Sequence, residues 1–354
     1  MATVDTVEIL NLTREFPNSR KLYRMAKSLT KSENFSNSIA SFSPQIKLDR
    51  DYDILFVVLD NPWQTYLLNG IEKWRDRCRF VACYIIEVWE KDLDNWQLLQ
   101  GPFENFDHIF VGHNHPIEAL SRRVNRPCSY LPPAVDTLLF SPPSLESRRD
   151  LDVCYVGRRS ENVHRRLLEL ANERDFFYYY DTASRQKLFV DDPIAHRSLL
   201  ANLFKRSRYS IVHYAKFNRP EETGYKQEIG YRFFEGAAAG TVMLGIPPET
   251  EIYRQLFDWL NAVIETDVNT CDIAAVIAEL NAQPELLARI RRDNILNALQ
   301  RHDWLHRWQQ VLATFDLPQT PEMEARDRQL KQRVQHLLDP QAMPEVVPES
   351  ASLN

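Results

Sequence analysis

The chain has 354 residues, 44% of them hydrophobic and 26% charged, and carries a formal net charge of −6. That length and apolar content suit about two globular domains, and the negative balance gives no reason to expect nucleic acid as a partner. Five scattered cysteines without CxxC or other ligand spacing read as buried thiols in a reducing compartment, with no bound metal. The start, MATVDTVEIL, has no basic-then-apolar leader, and no run approaches the ~18 apolar residues of a membrane span. The expectation is a cytoplasmic protein with no transmembrane segment, for which peripheral contact with a membrane surface stays open.

In chain order, VEILNL (Val7–Leu12) reads as a strand, and SRKLYRMAKSL as a helix. DILFVVLD (Asp53–Asp60) is a near-continuous apolar run, the mark of a strand covered on both faces. QTYLLNGIEKWRDR (Gln64–Arg77) reads as a helix, FVACYII (Phe80–Ile86) and HIFVG (His108–Gly112) as strands, and HPIEALSRRV as a helix. Strands alternating with helices predict a parallel sheet of βαβ units. The pattern breaks where five prolines fall between Pro127 and Pro143, because proline removes a donor and fixes φ. The first domain is therefore set at residues 1–142.

A second series follows: the strand LDVCYVG (Leu151–Gly157), the helix RRLLELANER, the strand DFFYYYD (Asp175–Asp181), the helix RSLLANLFKRS and the strand YSIVHY (Tyr209–Tyr214). After a polar loop, a helix starting near Gly230 or Tyr231 is expected to end at Gly240, which permits the left-handed turn into TVMLG. A helix from Pro248 to about Asn261, the strand AVIET and two or three helices complete a second domain at 151–300 and a closing helix at 301–316. The remainder, 317–354, reads as a charged helix and a disordered Pro- and Glu-containing tail. The fold class expected is α/β, two Rossmann-like doubly wound domains facing across a cleft whose rims are the carboxyl ends of the strands.

The most informative residue is Glu235, in YRFFEGAAAGTVMLG (Tyr231–Gly245), a carboxylate in a run that otherwise favours an interior. An ionised Glu buried without partners costs several kcal/mol. One reading pairs Glu228, Arg232 and Glu235 as an intrahelical triad on a solvated face, at about 0.2–0.5 kcal/mol per pair. The other has Glu235 accepting hydrogen bonds from the vicinal hydroxyls of a ribose.

RFFEGAAAGTVMLG resembles the donor-site helix of glycosyltransferases of the two-Rossmann-domain GT-B fold, and is most similar to the CgeB-like and family 1-type bacterial members. In that family such a Glu binds the ribose of a nucleotide sugar, and Glu235 matches it. Many retaining members carry an acidic residue eight positions earlier; here Gln227 stands there with Glu228 beside it. LPPAVDTLLFSP (Leu131–Pro142) is similar to the family's interdomain segment, and RHDWLHRWQQVL (Arg301–Leu312) to its closing helix, which crosses back to the N-terminal domain, with Trp304 and Trp308 as packing anchors. VCYVGRRSENVHRR (Val153–Arg166) is similar to the first donor-domain strand and loop, so Gly157, Arg158 and Arg165 are implied to hold the diphosphate.

The resemblance implies a transferase moving a sugar from a UDP or GDP sugar to a hydroxyl on a saccharide, lipid-linked glycan or small molecule. It implies no metal or other cofactor and weakly favours retention. Donor-side candidates are Gly157, Arg158, Arg165, Tyr214, Lys226, Gln227, Glu228, Arg232 and Glu235. On the acceptor side Glu87, first after a buried strand, is the catalytic candidate, with Trp63, Glu90, His113 and His115 beside it; Asp92 is a further acidic candidate. Alternatives are a nucleotide-sugar epimerase of the same fold and a non-catalytic nucleotide-sugar-binding protein. The absence of GxGxxG after the first strands weakens a dinucleotide-dependent dehydrogenase.

Overall fold

A computed structural model describes residues 4–12, 25, 28–29, 46–60, 62–99, 103–182, 190, 192–267 and 272–339. The chain divides into two compact units. The N-terminal unit holds residues 6–132 together with 219–228, and the C-terminal unit holds residues up to Asp5, 133–218 and 229 onward. The division falls inside the proline-rich stretch, between Pro132 and Pro133, and a ten-residue excursion of the later chain, Arg219–Glu228, belongs to the earlier unit.

In the N-terminal unit β1 (Ile46–Lys47), β2 (Tyr52–Leu59), β3 (Ile71–Glu72), β4 (Cys78–Ile85), β5 (His108–Val111) and β6 (Cys128–Tyr130) form two parallel ladders. One joins β1 to β3; the other runs β2-β4-β5-β6. Val81, Cys83, Ile85, Ile109 and Val111 point into one core with Leu120 and Val124 of the helix Ile117–Val124. Residues 7–11 form no strand: their backbone joins no ladder among the described residues, and Leu10 and Leu12 pack on this core as isolated apolar groups. β2 is an edge strand, not one covered on both faces, and Val58 is 54% exposed. The helix expected over Gln64–Arg77 is broken up. A 3-10 segment, Pro62–Gly70, gives way to β3, and Lys73 takes a left-handed conformation (φ 49°) before a second 3-10 turn. Gly70 ends the first segment, and the ladder with β1 then claims the backbone of Ile71 and Glu72. Of the SRKLYRMAKSL helix, only residues 25, 28 and 29 are described, all helical.

The C-terminal unit is built on β7 (Leu151–Tyr155), β8 (Tyr178–Tyr180), β9 (Ser207–His213), β10 (Val242–Ile246) and β11 (Ile264–Glu265), all parallel in the order β8-β7-β9-β10-β11. Alternate residues feed two cores, as a period of two demands. Val153, Tyr155, Tyr209 and Ile211 face the helices Glu161–Glu173 and Ile273–Asn281. Cys154, Val212 and Met243 face the helices Pro193–Lys205 and Tyr231–Ala239. Helices cover both sheet faces, which makes this unit doubly wound as expected. Gly240 ends the Tyr231–Ala239 helix at φ 64°, and an added Cβ there would stand 2.5 Å from Ile295 Cδ1, so only glycine fits both the turn and the space. The helix expected over Pro248–Asn261 is confined to Glu251–Leu256.

Within the 301–316 segment a helix runs Trp304–Thr314 and belongs to the C-terminal unit. Its N-cap, Asp303, is fully buried and collects five hydrogen bonds: from Leu305 N, Thr137 N, Thr137 Oγ1, and Nε and NH2 of Arg326. Trp308 is buried and donates to Asp5 at 2.6 Å, in keeping with an anchoring role. The charged helix spans Pro321–Leu338; the tail beyond residue 339 lies outside the described residues.

Candidate functional site

The strand order fixes where the C-terminal unit can bind. From β7 the chain moves to β8 on one side and then to β9 on the other, so the connections at the carboxyl ends of β7 and β9 diverge. In open α/β sheets ligands bind at such a reversal point. Tyr155 closes β7, and its hydroxyl accepts from Ser160 N (2.7 Å) and meets His213 Nε2 (2.7 Å), tying the ends of β7 and β9 together. Burial pushes the Tyr155 phenol up and the His213 imidazole down to about 3, so both are neutral near pH 7.

Just beyond Tyr155, Gly157 adopts φ 95°, and an added Cβ would meet nothing within 4 Å. Its N–H donates to Asp181 Oδ2, and Arg159 pairs with the same carboxylate while lying over the Tyr180 ring. Arg158 and Arg165 are exposed, the latter donating to Asn162 on its own helix. The second half of the site is the start of the Tyr231–Ala239 helix. Gly230 is its N-cap and supplies no side-chain cap, and a helix N-terminus favours an anion. Tyr214, half-buried, follows β9.

Glu235 sits in the second turn of this helix and is 1% exposed. The triad on a solvated face is thus corrected: the face is interior, and Glu228 lies outside the helix. Oε1 accepts from Arg197 of the Pro193–Lys205 helix and Oε2 from Arg232. Burial works against the Arg232 charge, and Glu235 outweighs it, leaving that guanidinium above its ordinary value. Two cations share one anion, so one positive charge is left over beside an uncapped helix N-terminus.

The N-terminal unit gathers a separate group at the carboxyl ends of β4 and β5. Gly112 permits the two loops to touch, since an added Cβ would lie 2.4 Å from Ile86 O. Glu87 is exposed and accepts from Trp89 Nε1 at 2.7 Å. The Trp89 ring lies 4.5 Å from that of His113 and 5.4 Å from that of His115. Burial lowers the His113 pKa, and its Nδ1 meets Val88 O at 2.8 Å. Glu90 N donates to His115 Nε2 at 3.3 Å, which leaves the ring proton on Nδ1, facing Glu228 Oε1 at 2.7 Å.

Glu228 is buried in this unit, and its Oε1 also accepts from Asn114 N (2.8 Å) and His115 N (2.9 Å). These amides lie in the loop that leads into the helix Ile117–Val124. Glu228 therefore ties down that loop from 113 residues away along the chain. Glu228→Ala is expected to cost about 1–3 kcal/mol in urea unfolding, the penalty for stranding buried donors, with Glu228→Gln intermediate. Of its neighbours, Lys226 is exposed and Gln227 half-buried. The Trp63 side chain lies outside the described residues.

The predicted residues thus fall into two sets. Gly157, Arg158, Arg165, Tyr214, Arg232 and Glu235 belong to the C-terminal unit; Glu87, Glu90, His113, His115, Lys226, Gln227 and Glu228 belong to the N-terminal one. Sequence reasoning missed Tyr155, Arg159, Asp181 and Arg197. Arg197 stands 38 residues from its partner, a separation no local pattern encodes. Among the described residues there is no group of three or more His, Cys, Asp or Glu able to hold a metal ion, and no helix is long and apolar enough to cross a membrane.

The model of a family described as glycosyl transferase-like matches residues 158–313. No curated protein matches the chain. Among solved structures, Anabaena Alr3699/HepE in complex with UDP and glucose is 12% identical, with a TM-score of 0.48 over 87% of this chain and 83% of that one. An alpha-glucosyltransferase in complex with UDP-glucose and DNA containing an abasic site is 13% identical, with a TM-score of 0.47 over 83% and 84%. The GtfA/B complex is 10% identical, with a TM-score of 0.39 over 73% of this chain, which spans 57% of that one.

Proposed function

Residues 158–313 form a glycosyl transferase-like segment, and from that premise we propose that the chain transfers a sugar from a UDP or GDP sugar to a hydroxyl acceptor, without a bound metal and with retention at the anomeric carbon. The family match carries this reading, and a helix start without a side-chain cap at Gly230, with two arginines sharing Glu235 in the same helix region, supports it.

The diphosphate lies between the Gly157 turn and the start of the Tyr231–Ala239 helix, with Arg158 as the neighbouring cation. Charge that develops on the leaving diphosphate is met there by preorganised donors. Glu235 takes the ribose. Each of its oxygens accepts from one guanidinium and retains a lone pair, so a diol bridges the two oxygens beside Arg197 and Arg232. With retention, the diphosphate itself takes the acceptor proton. Glu87, His113 and His115 then bind the acceptor, and Glu228 holds their loop in place.

Incubation with UDP and GDP sugars plus a panel of hydroxyl acceptors tests this. A new glycoside, formed equally well in the presence of a chelator, is expected. Epimerised or hydrolysed sugar without an acceptor points to the epimerase of the same fold, and nucleotide binding without any sugar consumption points to a binding protein.

A further inference from the structure

The C-terminal unit carries a basic cavity that the proposed transfer does not use. It is formed at the amino ends of β7 and β9, the opposite sheet edge from Gly157 and Gly230. β7 is five residues long, so the two edges lie roughly 13 Å apart at about 3.3 Å per residue. The cavity has a volume of about 280 Å³, and its walls include Arg149, Arg208, Arg291 and Asn281.

Three guanidiniums around one hollow repel each other unless something neutralises them. Among the described residues Arg208 pairs with Asp152 at 3.1 Å, a carboxylate that also accepts from Phe177 N. Arg149 spends its two terminal nitrogens on the Ser207 and Ala239 carbonyls, which carry no full charge. The Nε atoms of Arg149 and Arg291 are both buried with no hydrogen-bond partner. Buried donors on charged groups are ordinarily satisfied, and an orphan one calls for a missing acceptor. Asn281 accepts from Arg208 and Tyr209 through Oδ1, which leaves its amide nitrogen to donate. The desolvation of Arg149, and then its proximity to Arg291, push its guanidinium below its ordinary value, in line with charge that is not yet balanced.

We propose that this cavity binds a tetrahedral oxyanion, a phosphate group held by Arg149, Arg208, Arg291 and Asn281, at a site separate from the nucleotide-sugar site. Arginine forks match phosphate oxygens in pairs, and the volume admits a phosphate with little attached to it. Free phosphate and the phosphate end of a small metabolite share this chemistry.

Calorimetric titration of the full chain with inorganic phosphate at low salt tests the site. With UDP present at saturation to occupy the nucleotide site, phosphate binding is expected, weakened at least tenfold in Arg291→Gln and in Arg208→Gln. Arg291 makes no side-chain hydrogen bond among the described residues, so its replacement should leave the fold intact by circular dichroism. No binding to the parent chain, or equal affinity in parent and folded Arg291→Gln, overturns the proposal. Equal or tighter binding of malonate overturns the phosphate assignment. Phosphomonoesters that bind more tightly than free phosphate identify a metabolite as the source; the reverse order identifies the free ion. Should a variant not fold, protection of Arg291 in the parent from phenylglyoxal by phosphate gives the same answer, and its failure overturns the site.

Discussion

Asp303→Ala is expected to lower the unfolding free energy of the C-terminal unit by about 3–5 kcal/mol, the range for removing one partner of a buried ion pair. Asp303 is fully buried and joins three pieces of chain. It caps the Trp304–Thr314 helix, holds Thr137 through backbone and side chain, and receives Arg326 from the Pro321–Leu338 helix at 2.7 Å. Arg326 also reaches Asp136 at 2.6 Å, so removal of Asp303 leaves its buried guanidinium with a single carboxylate. Urea unfolding near pH 7 measures the loss.

The same substitution has a pH signature. Burial pushes the Asp303 carboxyl up, but the Arg326 hydrogen bond and charge, with Thr137, outweigh it and leave the group below its ordinary value. A carboxyl depressed on folding stabilises above its unfolded pKa, near 3.8, and that contribution fades as pH falls through the lower folded value. The gap between parent and Asp303→Ala should therefore be full at pH 7 and shrink below about pH 4. A gap independent of pH would mean that packing, not charge, is what Asp303 supplies.

Glu235→Gln is expected to weaken UDP-sugar binding by about 10- to 150-fold, or ~1.5–3 kcal/mol. The amide keeps the volume and one acceptor but loses the charge that holds Arg197 and Arg232. One arginine then keeps only a neutral acceptor and the other faces an NH2 group, and the ribose loses a charged acceptor. Arg197→Gln should give a smaller loss, because Glu235 then keeps Arg232. Calorimetric titration with UDP and GDP sugars reads both, alongside melting curves to separate binding from stability. Equal affinity in folded Glu235→Gln and parent would remove Glu235 from the site.

The elements that the sequence made legible are those written locally. LDVCYVG was legible as a strand, and its alternate residues now feed a core on each sheet face. Gly230 and Gly240 bracketed a helix that runs Tyr231–Ala239. Glu235 was legible as a problem, a charge in an apolar run, but its solution was not. Arg232 was in view three residues away, whereas Arg197 comes from another helix. Glu228 illustrates the same limit. Helical spacing put it with Arg232 and Glu235, yet the helix starts three residues later, and its partners are loop amides of its own unit, 114 and 113 residues earlier in the chain. The Gln64–Arg77 stretch failed for a different reason. Its periodicity suits a helix, but pairing of Ile71 with Ile46 is a distant event that no window of residues contains.

The central claim is that the carboxyl ends of β7 and β9, with the start of the Tyr231–Ala239 helix, hold a nucleotide diphosphate. A crystal structure of the chain soaked with UDP tests it most directly. The expected density has phosphates against the Gly157 turn and the amides following Gly230, with the ribose at Glu235. UDP bound at the opposite sheet edge, or nowhere in this unit at saturating concentration, would contradict it.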